Sequence, residues 1–408
     1  MADNKDKKVL NVPALRFPEF TEEWKRIKVS DLLDFYSTNS LSWEQLEYES
    51  NEPYNLHYGL IHVGLPTIID LTKDKLPSIK DGNVPKKYEL CKEGDIAFAD
   101  ASEDTNEVAK VVEFYNLDGK KVVCGLHTIH GRNNNGQTAK GFLGYCFSST
   151  VFHNQIRRIA QGTKIYSINT RNFSEVFVGL PSMNEQQKIA TLLRLMDERI
   201  ATQNKIIEKL ETLIKGIVEL AFSHAATSNT LGCYITQISQ RNKLGKNLPV
   251  LSVSNKHGFV EQSEQFEDRI IASDDTSNYK IVNINDFAYN PARINVGSIA
   301  RLKNKKCGIV SPMYICFRTL GNIIPEYLEL FFKTKQFSFE VNKRLEGSVR
   351  LCLQYEGLCE IVIPVLPVEK QQIWITRITA LYDKLAIEKG LQNNYQVQKQ
   401  FLLSLMFI

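Results

Sequence analysis

Two stretches of the chain carry apolar residues at spacings that alternate between four and three. The first reads Ile189, Leu193, Met196, Ile200, Gln203, Ile207, Leu210, Ile214, Ile217 and Ala221, with Gln203 the one polar position. That spacing is the seam of a heptad helix. It predicts a helix over 184–222, about 58 Å long at ~1.5 Å per residue. Pro181-Ser182 just upstream ends the preceding strand and supplies a start signal. The second seam reads Trp374, Ile378, Leu381, Leu385, Glu388, Gln392, Tyr395, Lys399, Leu402 and Met406, so it weakens in its second half. Gly390 weakens it further, by about 1 kcal/mol against Ala. A long helix with one apolar stripe needs a partner. The two are expected to pair as an antiparallel coiled coil with a globular part at each end; the alternative is burial in one large core.

Between the helices the pattern is mixed. Lys121–Cys124, Glu175–Gly179, Pro249–Val253 and Glu360–Ile363 read as short strands. Tyr145 to Ile159 and Pro325 to Leu345 read as helices, the second opened by a proline. Each globular part is expected to be a compact mixed sheet with a few helices, an α+β class.

The chain also repeats itself. Adding 185 carries Gln161-Gly162-Thr163 onto Glu346-Gly347-Ser348, Gln186-Gln187 onto Gln371-Gln372, and Phe222 onto Phe407. Ile168, Phe173, Val176 and Val178 land on Leu353, Leu358, Ile361 and Ile363. Upstream, Gly94-Asp95-Ile96-Ala97-Phe98 resembles Asn285-Asp286-Phe287-Ala288-Tyr289, and Cys124-Gly125-Leu126 resembles Cys307-Gly308-Ile309. A register held over tens of residues marks one module written twice. The expected layout is an N-terminal arm (1–20), a first globular domain (21–180), a long helix (181–222), a second globular domain (223–365) and a C-terminal long helix (366–408). Two pseudo-repeated mixed α/β domains are thus separated by two long antiparallel helices.

Length and composition agree with that plan. The 408 residues are about two and a half times the ~150 of a typical domain. Hydrophobic residues at 43% and charged residues at 24% are globular values. Lys plus Arg (50) nearly balance Asp plus Glu (46), which excludes binding by bulk charge alone. The charge is unevenly placed, however. Residues 181–222 hold six basic and six acidic side chains, so that helix suits water or protein rather than phosphate. Between Asp118 and Glu175 there is no carboxylate, while Lys120, Lys121, Arg132, Lys140, Arg157, Arg158, Lys164 and Arg171 lie there. From Phe287 to Pro325 the acids are missing again, and Arg293, Arg301, Lys303, Lys305, Lys306 and Arg318 remain. Removing carboxylates is what a polyanion-binding face requires; a buried stretch poor in charge is the plainer reading.

Within these stretches stand residues suited to base edges. Arg offers guanine a two-pronged donor, and Asn or Gln offers adenine a paired donor and acceptor. Gly131–Thr138 reads as an exposed polar loop carrying Arg132, Asn133, Asn134 and Gln137, with Lys140 just beyond. Thr163-Lys164-Ile165-Tyr166 and its counterpart Ser348-Val349-Arg350 are a second pair of candidates. Asn290 to Asn295, with Arg293 and Asn295, and the nearby Arg301 complete the set. A polar loop is otherwise simply solvated.

Catalytic machinery is not legible. Gly131-x4-Gly136-Gln137-Thr138 has phosphate-loop spacing without the lysine. Tyr289-Asn290-Pro291-Ala292-Arg293 lacks the second proline and the aromatic of the amino-methyltransferase motif. No Gly-x-Ser-x-Gly or His-Glu-x-x-His occurs. The eight cysteines are scattered, without Cys-x-x-Cys or paired histidines, which argues against zinc and against a disulfide framework. The charged N-terminus is no secretory signal, and no apolar run reaches the ~18–20 residues of a membrane span. A reduced, cytoplasmic protein without cofactor or metal is expected. Two function classes remain: a recognition component for DNA, or a non-DNA coiled-coil adaptor whose two globular ends bind proteins.

Three features resemble one family, the specificity subunits of type I restriction-modification systems. Pro13-Ala-Leu-Arg-Phe-Pro-Glu-Phe20 with Glu23-Trp24-Lys25 is similar to the family's opening. Leu180-Pro-Ser-Met-Asn-Glu185-Gln-Gln-Lys-Ile189, through Asp197-Glu-Arg-Ile200 to Phe222, is similar to its central helix, and the two-copy layout matches. The second copy departs, with Lys370 for Glu185 and Trp374 for Ile189. The resemblance implies two target recognition domains, each reading half of a split, asymmetric site on double-stranded DNA. It makes the paired helices a ruler for the spacer and a dock for methyltransferase (M) subunits, with restriction motor-nuclease (R) subunits completing the complex. S-adenosylmethionine, ATP and Mg would belong to those partners, leaving this chain non-catalytic.

Overall fold

The computed structural model describes residues 11–48, 52–223, 227–262, 276–348 and 350–408. Residues 1–10 of the expected arm and Val349 lie outside them. The chain divides into two units: Met1–Asn204 with Leu391–Ile408, and Lys205–Gly390. Both boundaries fall inside the long helices, Met183–Ser223 and Val368–Leu405, so each globular domain owns a stretch of both.

In the first unit, strands Asp34–Tyr36, Thr128–Arg132, Ile96–Ala99, Val111–Asn116 and Ile68–Asp70 form one sheet in that order. A second sheet orders Val122–Cys124, Tyr54–Leu56, Ser78–Ile79 and Leu46–Glu47. In the second unit, one sheet orders Ile235–Ile238, Ile315–Thr319, Phe287–Tyr289 and Ile299–Arg301, and another Gly258–Glu261, Val250–Ser254, Cys307–Val310 and Lys280–Asn283. Each unit closes on a two-stranded antiparallel pair leading into a long helix: Lys25–Lys28 with Phe177–Leu180, and Thr227–Thr230 with Val362–Val365. The mixed α/β class and the duplicated plan are as expected.

The two expected mid-domain helices are each broken once, and at equivalent places. Phe142–Phe147 is followed by Thr150–Ile159, whose Ser149 side chain accepts from Phe152 N. Pro325–Phe331 is followed by Lys335–Lys343, whose Thr334 side chain accepts from Phe337 N. Ser149 plus 185 is Thr334. A hydroxyl that satisfies an orphan backbone donor starts a new helix and ends the old one.

Every predicted seam position is buried or half-buried. In the first unit Ile189 and Leu193 pack in one core with Leu403, Met406 and Phe407. Lys399 pairs with Asp197 at 2.5 Å, and Arg199 donates to the Tyr395 hydroxyl at 2.9 Å. In the second unit Ile207 and Ile214 share a core with Ile375, Ile378 and Leu385, while Leu210, Ile217, Trp374 and Leu381 pack against it, and Lys389 meets Glu211 at 2.7 Å. Residue numbers rise along one helix as they fall along the other, so within each unit the two segments run antiparallel. Met196 and Ile200 are half-buried on the same stripe.

One buried side chain joins each long helix to its lobe. Gln186 Oε1 accepts from Ala139 N at 2.8 Å, and its Nε2 donates to Gln137 O and Pro181 O, both at 3.0 Å. Gln371 Oε1 accepts from Ile324 N at 2.9 Å, and its Nε2 donates to Asn322 O and Leu366 O at 3.1 and 2.7 Å. All four residues in each set differ by 185. This explains the repeated glutamine: one buried side chain answers three backbone groups in each unit. Its neighbour is not repeated. Glu185, almost fully buried, takes both prongs of Arg16 at 2.7 Å. The opening segment and the central motif are therefore one structural feature, and the second copy has Lys370 in place of the carboxylate.

A second repeated device is an aspartate clamp. Asp95 accepts Lys92 N and two nitrogens of Arg132, each at 2.8 Å, and Asp286 accepts Asn283 N and two nitrogens of Arg318 at 2.8 to 3.0 Å. The strand pairs agree: Ala97 faces His130 and Ala288 faces Cys316. Arg132 is therefore equivalent to Arg318, and Cys124 to Val310, three residues from the Cys307 suggested by the sequence.

Replacing Gln186 by Leu should destabilise the first unit, and Gln371→Leu the second, each by roughly 2–5 kcal/mol for orphaned buried groups. Urea unfolding with a probe in each unit should show the loss confined to the mutated one. Arg132→Ala should cost the first unit about 3–5 kcal/mol, because Asp95 is left as an uncompensated buried charge; the same unfolding curve reads it.

Candidate nucleic-acid interface

The sequence candidates separate into two groups once folded. Arg132 is not in an exposed loop. It ends strand Thr128–Arg132, 6% exposed, held by Asp95, by Glu89 at 2.8 Å and by Leu90 O at 2.8 Å. These hydrogen bonds, that to Asp95 first, raise the guanidinium pKa further above its ordinary value. Burial alone would push the Asp95 carboxyl up, but hydrogen bonds from His130, Arg132 and Lys92 N hold it below the usual range. A guanidinium so engaged has no free fork for guanine. Arg301 is likewise half-buried and bound to Glu326 at 2.6 Å and Glu329 at 3.0 Å.

The rest of the Gly131 segment also serves the lobe. Asn134 Nδ2 donates to Asp34 and to the Tyr36 hydroxyl. Asn133 Oδ1 accepts from Asn135 N, the Gln137 carbonyl is held by Gln186, and Lys140 pairs with Glu93 at 2.7 Å. The carboxylate-free stretches are thus not carboxylate-free surfaces. Glu52, Glu89, Glu93 and Asp95 come from upstream strands and loops to meet Lys121, Arg132 and Lys140. In the second unit Glu261, Asp286, Glu326 and Glu329 do the same for Lys305, Arg318, Arg301 and Lys303.

The second group stays accessible, on a hairpin that both units repeat. Gln161 and Ser167 exchange backbone bonds at 2.9 and 2.8 Å, as do Glu346 and Cys352 at 3.0 and 2.8 Å. Gly162 and Gly347, at φ 135° and 125°, turn these loops, and a Cβ on either would overlap the carbonyl oxygen of Ile165 or Arg350. Only glycine closes the loop so tightly. The tips present Lys164 in one copy and Ser348 and Arg350 in the other, all exposed, with Tyr166 half-buried on the strand beside Ser102.

Each hairpin is rooted on the same neighbouring loop. Ile168 N donates to Asp100 O and Leu353 N to Pro291 O, equivalent bonds of 2.9 and 3.0 Å. In the second unit this brings exposed Arg293 and Asn295 beside the Ser348–Arg350 hairpin. In the first, the matching loop carries Glu103 and Asp104 instead. The two root loops occupy one place in the repeat but differ in charge, acidic in the first unit and basic in the second, beside hairpins that each carry a cation.

Sequence reasoning passed over one further cluster. Cys91, Cys124 and His130, scattered in sequence, come together in the first unit with ligand-type atoms within 4.8 Å of one another, all buried. No spacing motif could have revealed them, because three separate segments supply them.

Comparison with known proteins follows this geometry. The family model for the type I restriction modification DNA specificity domain matches residues 114–212. A protein of Methanocaldococcus jannaschii described as a type I restriction enzyme MjaX specificity subunit is 23% identical over 426 residues, covering 95% of this chain and 93% of its own. The S subunit of a type I restriction-modification system from M. genitalium superposes with a TM-score of 0.56 at 17% identity, over 97% of this chain and 99% of that one. A chain from a structure of type I R-M complex assembly and conformational transition superposes with a TM-score of 0.58 at 14% identity, over 93% and 96%. Among the described residues no helix is long and apolar enough to cross a membrane. The resemblance read in the sequence therefore holds in sequence and in fold: residues 114–212 match the type I restriction modification DNA specificity domain, and the chain has the fold of the S subunit of such a system.

Proposed function

We propose that the chain is the DNA-recognition subunit of a type I restriction-modification complex, each unit reading one half of a split, asymmetric site through its glycine-turned hairpin and the loop on which the hairpin is rooted. The observation that carries this is the duplicated pairing of hairpin and loop, with the same backbone bonds in both units and different charges upon it. One architecture with two chemistries suits two different half-sites. Arg293 and Arg350 match phosphate or guanine, whereas Glu103 and Asp104 match a cytosine amino group. Arg132 and Arg301 drop out of the reading set, and Lys164, Tyr166, Arg293, Asn295, Ser348 and Arg350 remain in it.

Chemistry on the DNA falls to partner M and R subunits with their S-adenosylmethionine, ATP and Mg. The long central helix offers a surface for such a partner. Ile206, Leu213 and Leu220, seven apart and 38 to 48% exposed, form a stripe outside the seam, on a helix whose charges balance. An exposed heptad stripe is the half-interface a partner's helix completes.

Lys164→Ala, Arg293→Ala and Arg350→Ala, each assembled with M subunit, should bind the cognate duplex more weakly. Each lost phosphate contact should lower the slope of log affinity against log salt by about 0.9. Methylome sequencing should show Lys164→Ala relaxing one half-site and Arg350→Ala the other. Affinity and slope unchanged in all three would return the chain to the adaptor class. Leu213→Glu should weaken capture of the M subunit at least tenfold, at about 1.4 kcal/mol per decade, while leaving the unfolding curve in place.

A further inference from the structure

We propose that the first unit holds a thiophilic metal ion of the zinc kind, bound by Cys91 Sγ, Cys124 Sγ and His130 Nδ1. The two sulfurs stand 3.6 Å apart. Two thiolates on a tetrahedral zinc, each at about 2.3 Å, stand roughly 3.8 Å apart. All three side chains are buried, at 6, 2 and 0% exposure.

His130 supplies the independent observation. Its Nε2 lies 2.7 Å from Asp95 Oδ2, a carboxylate already accepting from Arg132 and Lys92 N, so Nε2 is the nitrogen that carries the proton. That leaves Nδ1 with a lone pair, and it is a buried polar atom with no hydrogen-bond partner. Orphaned buried polar atoms are rare in folded proteins and call for an explanation. A carboxylate fixing one imidazole nitrogen, on a ring whose ligand atom lies within 4.8 Å of two thiol sulfurs, is the arrangement that orients metal-binding histidines.

The duplicated fold supplies an internal control. Leu90 faces Val123 as Ile281 faces Ile309, and Lys92 N caps Asp95 as Asn283 N caps Asp286. Cys91 and Cys124 thus correspond to Val282 and Val310, and His130 to Cys316. All three second-unit positions are fully buried in an apolar cluster. The architecture is therefore complete without a polar residue at any of these places. Packing does not demand two cysteines and a histidine in the first unit, but a ligand does. Cys124 lies in one sheet of the unit and His130 in the other, so the ion would staple the two together.

The second unit also prescribes a foldable knockout, Cys91→Val with Cys124→Val. The full chain, reduced and reconstituted without oxygen with zinc or cobalt alone, should retain about one ion after desalting, the cobalt form showing a thiolate-to-metal band in the near ultraviolet. A chelator should lower its thermal midpoint. The double variant should fold, bind no cobalt by absorbance and ignore the chelator. A folded wild-type chain with neither band nor retained zinc would overturn the proposal. So would retention of the ion by the double variant, or a Cys91–Cys124 disulfide in chain kept anaerobic throughout.

Discussion

Each lobe depends on a single glutamine at the first turn of a long helix. Gln186 and Gln371 face three backbone groups apiece, contributed by the strand end before the helix and by the loop that opens the mid-domain helix. Loops of this kind carry polar groups that water would normally satisfy, and here a buried side chain bonds to them instead. The amide answers two carbonyls and one N–H at once, which few side chains can do. It thereby fixes the first turn of the helix against the lobe.

The clamp of aspartate on arginine shows how duplication separates scaffold from function. Both units keep it, Asp95 with Arg132 and Asp286 with Arg318, with a backbone cap on each carboxylate. A feature kept in both copies, with the same partners, serves the fold. A feature at the same place with different chemistry serves the difference between the copies. The hairpin loops fall in the second class, and so does the Cys91, Cys124, His130 cluster set against Val282, Val310 and Cys316. Arg16 with Glu185 is a third case, an ion pair of the first unit where the second has Lys370 in place of the carboxylate.

The charge pattern carries a physical lesson. Absence of carboxylates along a stretch of sequence was read as preparation of a surface for phosphate. In the fold, those same basic residues meet glutamates from other loops and from helix Pro325–Phe331 at 2.5 to 4.0 Å. Depletion along the chain is offset by tertiary folding: bases cluster on one segment and the carboxylates that meet them lie on another. Lys164, Arg293 and Arg350 stand instead on exposed loops.

The sequence by itself determined what periodicity and repetition encode. Heptad spacing selected the seam, and every seam position is shielded, because the 3.5-residue period places those side chains on one face whatever the partner. The 185-residue offset determined that there are two lobes of one design, and Gln186 and Gln371 were visible in it as matched pairs. Only the tertiary structure decided which polar residues are free. Arg132 and Lys164 look alike in sequence, yet one is enclosed by Asp95 and Glu89 and the other stands on a hairpin tip. The break of the mid-domain helices at Ser149 and Thr334 was equally hidden, since apolar spacing does not register a side chain turned back onto its own backbone. Cys91, Cys124 and His130 met for the same reason that no motif announced them: strand order, not chain order, sets which atoms share a pocket.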